Sequence, residues 1–439
     1  GMAVDANVLI YERTKEELRA GKGTKQALAE GYKNAFSAIF DSNFTSIITG
    51  VILYNFGTGP IRGFATTWII GICCSFFTAV FLTRLVYEHK LKKDRWTNLT
   101  FCTGVSRNLM QNVHFPFMGI YKKTFTVLAA LIVIFIVSFG VRGLSRSIDF
   151  TGGRNYVIAF EKAVEPEQVR AVLDQAFPGC TSSALALGTD HKTIRVSTNY
   201  KIESNSPTVA ETLLFSALKK ANLVTQKDVQ AFKNPDIRQG GSIISSTKVG
   251  PSVAKDITYG AILSVLIALV AIFLYILARF HNVAFSVGST LALAVDTVTV
   301  LGVYSLCWGW MPFSMEIDLT FIGAVLTVIG YSINDKVVVF DRIRENLQLH
   351  PKADLQQLFN DSINQTLART VNTSLSTLLV LLCILFLGGE SIRSFAFAMS
   401  LGVVVGTLSS IFVASPIAYI VMGRRIKEVH EEATEVATK

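Results

Sequence analysis

Apolar residues in this chain gather into long runs parted by short polar links. Five runs, at 64–86, 125–141, 257–277, 283–307 and 395–422, approach or exceed the roughly 20 residues with which a helix crosses a hydrocarbon core. Three more are less pure: 319–340 contains Asn334, Asp335 and Lys336, while 45–56 and 373–387 are short. Residues 1–11 are apolar apart from Asp5 and Asn7 and run into the charged segment 12–25, which reads as the end of a ninth helix cut short. These first residues have neither a basic n-region nor a cleavage site, so no signal peptide is expected and the natural chain is expected to begin upstream.

Between 142 and 256 the period changes. Alternating stretches at 156–161 and 193–196 predict strands, and amphipathic stretches at 166–177 and 209–221 predict helices. The expected fold class is therefore a polytopic α-helical membrane protein with a small α/β, ferredoxin-like domain inserted between its helices. The insert opens with Asp149-Phe150-Thr151-Gly152-Gly153, where glycine permits positive φ and close backbone packing; the pair is read as structural.

The chain also contains a long-range duplication. GMAVDANVLIYER from Gly1 to Arg13 parallels GYSINDKVVVFDR from Gly330 to Arg342, and at the same offset Asn43-Phe44-Thr45 lines up with Asn372-Thr373-Ser374. After a shift of two residues, Ile61-Arg62-Gly63-Phe64-Ala65 matches Ile392-Arg393-Ser394-Phe395-Ala396, and Gly71 matches Gly402. Both copies run the same way through the membrane by their loop charges, so the repeat is parallel.

Composition supports the membrane class, with 50% hydrophobic and 17% charged residues. A net charge of +9 would suit nucleic acid, but the basic residues fall in alternate loops: Arg13 to Lys33, then Lys90 to Lys123, then Arg279, then Arg424 to Lys427. By the positive-inside rule these loops and the C-terminus are cytoplasmic, the insert is extracytoplasmic, and no nucleic-acid partner is expected. The cysteines include no C-x-x-C pair and only Cys180 lies in the insert, which supports neither a disulfide framework nor a zinc site.

Ionisable groups inside a membrane cost about 2.5 to 3.5 kcal/mol each on insertion scales, so each asks for a partner or a purpose. Asp5 and Asp335 occupy nearly the same place before Arg13 and Arg342, and Asp296 lies in a third apolar run. Arg369 precedes the short run of the second copy, where the first copy has Phe40. An Arg beside an Asp in low dielectric holds the carboxyl ionised and its withdrawal favours the neutral acid, a physical basis for proton uptake and release. The competing reading is a static Asp335–Arg369 salt bridge that fixes helix register. Lys336 and Arg342 are expected to snorkel to the interface, and Asp296 to be satisfied by Thr297 or Thr299. Gly402, Gly406, Ser409 and Ser410 are read as packing positions.

Taken in order, these motifs identify the chain as a member of the SecD/SecF family. The segment from Gly1 to Arg13 resembles the fourth-helix motif of SecD. Asp149 to Gly153 resembles the motif that opens the SecF periplasmic domain, Gly330 to Arg342 the SecF fourth-helix motif, and Arg369 with Asn372, Thr373 and Ser374 the one that follows. The resemblance implies a fused SecDF of the resistance-nodulation-division superfamily, lacking the first SecD helices and the large first periplasmic domain. It divides the chain into SecD-like helices (1–90), a cytoplasmic linker (91–123), a first SecF-like helix (124–141), a periplasmic domain (142–256), further helices (257–422) and a cytoplasmic tail (423–439).

The resemblance further implies an inner-membrane, non-enzymatic subunit that uses the proton-motive force to help draw preproteins from the SecYEG translocon, with YajC and the YidC insertase as further partners. No cofactor is expected beyond the proton as coupling ion. Asp5, Asp335 and Arg369 match the family's proton-pathway positions, with Asn7, Asn43, Thr45, Asp296, Asn334, Asn372, Thr373 and Ser374 as candidate supporting groups. Two departures stand out: Lys336 where Thr is usual, and Val295 before Asp296 where many members have His. An exporter of small molecules or lipids and a passive translocon scaffold are the alternatives. An intramembrane aspartyl protease is disfavoured because neither Asp5 nor Asp335 follows a Gly-x-Gly pattern.

Overall fold

The computed structural model describes residues 2–56, 60–93, 95–96, 99–101, 114–180, 182–187, 190–200, 208–237, 239–311 and 313–424, with backbone alone for 2, 3, 5, 56, 60, 61, 390 and 391. The parts of the linker at 102–113 and of the tail at 425–439 that entered the sequence reading lie outside the described residues.

Among the described residues, eight helical segments are long and apolar enough to cross a membrane, one for each of the eight full or short runs. In chain order the helices are α1 (Met2–Arg19), α2 (Thr24–Phe56), α3 (Pro60–Phe77), α4 (Thr83–Lys92) and α5 (Tyr121–Val141) before the insert. After it come α10 (Pro251–Phe280), α11 (Val283–Cys307), α12 (Leu319–Leu349), α13 (Leu355–Leu387) and α14 (Glu390–Ser409). The two short runs prove to be the ends of long helices. Their polar halves are helical too, with the side chains satisfied by bonding back one turn: Asn43 to Ile39 O at 2.7 Å, Thr45 to Asp41 O at 2.7 Å and Thr373 to Arg369 O at 3.2 Å. Apolar run length thus understates the helix wherever hydroxyls and amides find acceptors within it.

Helix α12 is the axis of the bundle: 83% of its most apolar stretch is buried, against 11% for α5. The duplication reappears as pseudosymmetry about that centre. Phe64 and Phe395, equivalent in the two copies, meet edge to face at 5.7 Å. Arg13 reaches Glu345 at 3.5 Å while its counterpart Arg342 reaches Glu16 at 2.9 Å, so the two copies exchange ion pairs reciprocally. Each copy's last helix also contains a π-helical turn at a corresponding place, Thr78–Leu82 and Ser410–Ala414, after the second of which the helix continues to Arg424.

The insert begins at α6 (Ile148–Thr151) and continues through β1 (Gly153–Ala159), α7 (Pro166–Ala176), β2 (Ser182–Ala186), β3 (Thr193–Thr198), α8 (Thr208–Lys220), α9 (Val229–Lys233) and β4 (Ser242–Val249). Its antiparallel sheet has the order β2-β3-β1-β4, the ferredoxin-like arrangement of two interleaved βαβ units. Tyr156, Ile158, Val196, Leu173, Leu214 and Phe232 fill the space between sheet and helices, all fully buried. In the glycine pair, Gly152 takes φ +78, and a Cβ on Gly153 would lie 2.8 Å from Thr198 O, so one glycine turns the chain and the other lets β1 approach β3.

The insert is tied to the helices along the strand-like strap that precedes α6. Ser147 N donates to Ile317 O at 3.0 Å and Ile317 N to Ser145 O at 2.7 Å, forming a parallel bridge one residue before Asp318 caps α12. Arg142 closes the other side, donating to Leu306 O at 2.9 Å and Trp308 O at 2.6 Å with its guanidinium over the rings of Trp308 and Trp310. These bonds satisfy carbonyls at the end of α11 that have no helical partner.

Candidate functional site

Three helices converge on Asp335. It sits on the buried face of α12 at 8% exposure, and its Oδ2 accepts from Thr407 of α14 at 3.2 Å and Ser374 of α13 at 3.4 Å. The two hydroxyls are themselves 2.5 Å apart, so a chain of exchangeable protons crosses from α13 to α14 over the carboxylate. One turn along α12, Tyr331 shares a hydrogen bond of 2.9 Å with Thr377 and donates to Thr373 O at 3.4 Å. Asn334 is 3% exposed, and neither end of its amide is hydrogen-bonded among the described residues.

Arg369 lies on α13 and lines a cavity of about 70 Å³ between the two copies, together with Glu12, Arg13, Glu16, Asp341 and Arg342. That is large enough to hold water, which needs about 10 to 15 Å³. Among the described residues no ion pair joins Asp335 to Arg369, and the hydroxyls of Ser374 and Thr407 donate to Asp335. Asp5 lies on α1 beside this region in sequence, but its side chain is outside the described residues. Asn7 is half-buried on α1, Asn43 and Thr45 are spent on their own helix, and the main-chain carbonyl of Asn372 accepts from Ser376 at 2.8 Å.

Two expectations are corrected. Lys336 does not snorkel: both it and Asp296 are wholly buried, and they form an ion pair of 2.9 Å. Thr297 and Thr299 do not satisfy Asp296, because each bonds to its own helix, at Leu293 O and Val295 O. The physical reason for the first correction is that Lys336 lies on the buried face of α12, where Asp296, Ser332 and Ser409 supply its ammonium with acceptors.

Sequence reasoning missed one charged cluster. Asp41 on α2 is 5% exposed and accepts from Arg279 Nε at 2.5 Å and Tyr275 OH at 2.9 Å, both on α10. The signal is present as an Asp within an otherwise uncharged polar stretch, but the loop-charge pattern places Arg279 in a loop. At the insert junction sequence reasoning gave Asp149 only as part of a turn and missed Glu316. Burial, then the neighbouring Asp318 charge, pushes Asp149 above the usual carboxylate range. Burial likewise pushes Glu316 up, against the Ser183 hydroxyl of β2 that donates to it at 3.3 Å.

The fold and site together define a polytopic membrane protein built as a parallel repeat around buried charges. Residues 230–424 match the family described as protein export membrane protein SecD/SecF, C-terminal; residues 137–164 match the SecD/SecF GG motif, and 1–86 the MMPL family. The protein translocase subunit SecF of Rhodothermus marinus is 39% identical over 309 residues, spanning 70% of this chain and 94% of that protein. The chain therefore belongs to the SecD/SecF family. Protein translocase subunit SecDF of Thermus thermophilus is 36% identical over 432 residues, which cover 96% of this chain and 53% of that one. A crystal structure of SecDF from Thermus thermophilus, described as a translocon-associated membrane protein, superimposes with a TM-score of 0.77 at 35% identity, covering 97% of this chain and 53% of that one. The chain thus spans about half the length of the fused relatives it matches.

Proposed function

We propose that this chain is part of a Sec translocase accessory subunit of the bacterial inner membrane, in which proton passage near Asp335 and Arg369 drives movement that promotes preprotein export. In this reading the insert is periplasmic, the C-terminus is cytoplasmic, and the partners are SecYEG and an unfolded preprotein, with YajC and YidC beside them. Asp5 belongs to the same pathway by its place in the first copy. The protein performs no covalent chemistry and carries no cofactor; the proton is the coupling ion.

The observation that carries the reading is the setting of Asp335: a carboxylate in the middle of the central helix, contacted by a chain of hydroxyls, while Arg369 on the adjoining helix borders a charged cavity. A carboxylate so placed changes charge as the arginine approaches or withdraws, and the altered balance of charge and desolvation shifts the packing of the helices around it. Among the described residues the core of the insert is filled by side chains such as Tyr156, Leu173 and Phe232, which favours a protein-handling role over small-molecule export.

The test is export of a preprotein into inverted vesicles containing the full chain with Asp335→Asn, with the proton gradient present or collapsed. The variant is expected to assemble and to lose the stimulation that the gradient gives the wild type. Equal stimulation in both would make the charge structural and the scaffold reading correct.

A further inference from the structure

Lys336 Nζ is enclosed by oxygen alone. It donates to Asp296 Oδ2 of α11 at 2.9 Å, to Ser332 Oγ one turn back at 2.5 Å and to Ser409 Oγ of α14 at 2.9 Å, with Ser332 O at 3.4 Å completing the shell. Three donors meet three close acceptors, so the ammonium is saturated. Ser332 Oγ in turn donates to Asp296 Oδ2 at 2.7 Å, closing a ring of charge, hydroxyl and ammonium. A carboxylate, two hydroxyls and a carbonyl are the ligand types that hard cations take. Here the cation is covalently part of the protein.

The backbone is shaped to build this shell. A Cβ on Gly406 would lie 2.5 Å from Ser332 Oγ, so only glycine lets α14 approach closely enough to bring Ser409 onto the ammonium. The π-helical turn begins at the next residue, Ser410, a departure from regular helix of the kind that gathers at functional sites. Asp296 Oδ1 has no hydrogen-bond partner among the described residues, so the charge on this carboxylate rests on the ammonium and Ser332. The neighbouring acid on α12, Asp335, faces away to Ser374 and Thr407.

We propose that Lys336 is a tethered cation which permanently occupies an oxygen-lined site between α11, α12 and α14, withdrawing Asp296 from ion exchange and leaving Asp335 as the exchangeable carboxylate of this half. The last clause rests on the proton-coupled reading above; the occupancy of the site does not. Removing the ammonium while keeping the carboxylate opens a position at Asp296 that takes a proton or a sodium ion.

The experiment is infrared difference spectroscopy of the full chain in lipid nanodiscs, titrated with protons and with NaCl, for wild type, Lys336→Met, Lys336→Gln and the double variant Lys336→Met/Asp296→Asn. The wild type is expected to show no protonated-carboxyl band that the double variant lacks. At least one single variant gains such a band, lost again when Asp296 is replaced, with sodium competing for the site. A titrating Asp296 band already in the wild type overturns the proposal, and so do single variants that fold yet remain silent to both ions. If neither single variant folds, the comparison of wild type with the double variant still decides whether Asp296 exchanges. In the export assay the double variant retains gradient-dependent stimulation while Asp335→Asn loses it. Loss in both overturns the withdrawal of Asp296 but leaves proton coupling standing, whereas a wild type indifferent to the gradient overturns proton coupling and leaves the infrared result to judge Lys336.

Discussion

Lys336 and Asp296 show how a charge behaves when water is excluded from both partners. Taking a lysine and an aspartate to zero exposure sets a desolvation cost against the attraction they recover, and the sum depends on completeness of the hydrogen bonds. The asymmetry gives a prediction. Lys336→Met or Asp296→Asn alone strands one buried charge and is expected to lower stability by about 3 to 5 kcal/mol, whereas replacing both restores most of the loss. Thermal unfolding of the four proteins in the same nanodiscs checks this, and additive losses would mean that the pair is not coupled. The sequence could not have revealed the pair. Lys336 stands six residues before Arg342 on a helix whose end was unknown, and its partner lies 40 positions away on another helix, where nothing in local periodicity marks it. Asp335, Ser374 and Arg369 were legible because they lie in motifs that recur in order.

At the scale of elements, helix–helix distance is set by where glycines fall. On α14, a Cβ at Gly402 would lie 2.1 Å from Val328 and one at Gly406 2.5 Å from Ser332, so both contact surfaces belong to α12. Gly406→Leu is expected to push α14 off α12, costing about 1 to 3 kcal/mol through overpacking and separating Thr407 from Asp335. A disulfide-trapping rate between cysteines placed on the two helices would report the separation, and an unchanged rate would mean that the bundle absorbs the bulk elsewhere. The long helices and the insert strands β1 and β3 were readable from period and apolarity. β2, with the sequence SSALA, was not, because it lacks large apolar residues at alternate positions. β4 escaped for another reason: it is an edge strand whose residues 245–248 face solvent, so alternation fades along it.

Across the whole molecule, the insert and the membrane helices meet at acids with raised affinity for protons. For Asp149 and Glu316 the docked state binds protons that the undocked state does not, since burial and Asp318 lift both above the usual range. Their contribution to docking is therefore fully present at low pH and is lost as the pH rises through the raised values. Amide exchange at Ser147 and Ile317, corrected for intrinsic rates, should show protection falling as the pH rises, with Glu316→Gln flattening the profile. Protection independent of pH would remove these acids from the junction's energetics. The duplication itself was visible in sequence, but its geometric meaning was not: only the folded chain shows Arg13 and Arg342 each grasping the glutamate that follows the other.

The bridge between Ile317 and the strap has a mechanical corollary. Asp335 lies 17 residues beyond Asp318, which is about 25 Å along a stiff helical rod at 1.5 Å per residue. The rod's outer end is fastened by two backbone hydrogen bonds to chain that enters β1, a strand inside the sheet rather than at its edge. A displacement of α12 along its axis would therefore reach the middle of the insert through a short connection. The helix is thus a shaft with a charge at its middle and a strand of the insert fastened to its end.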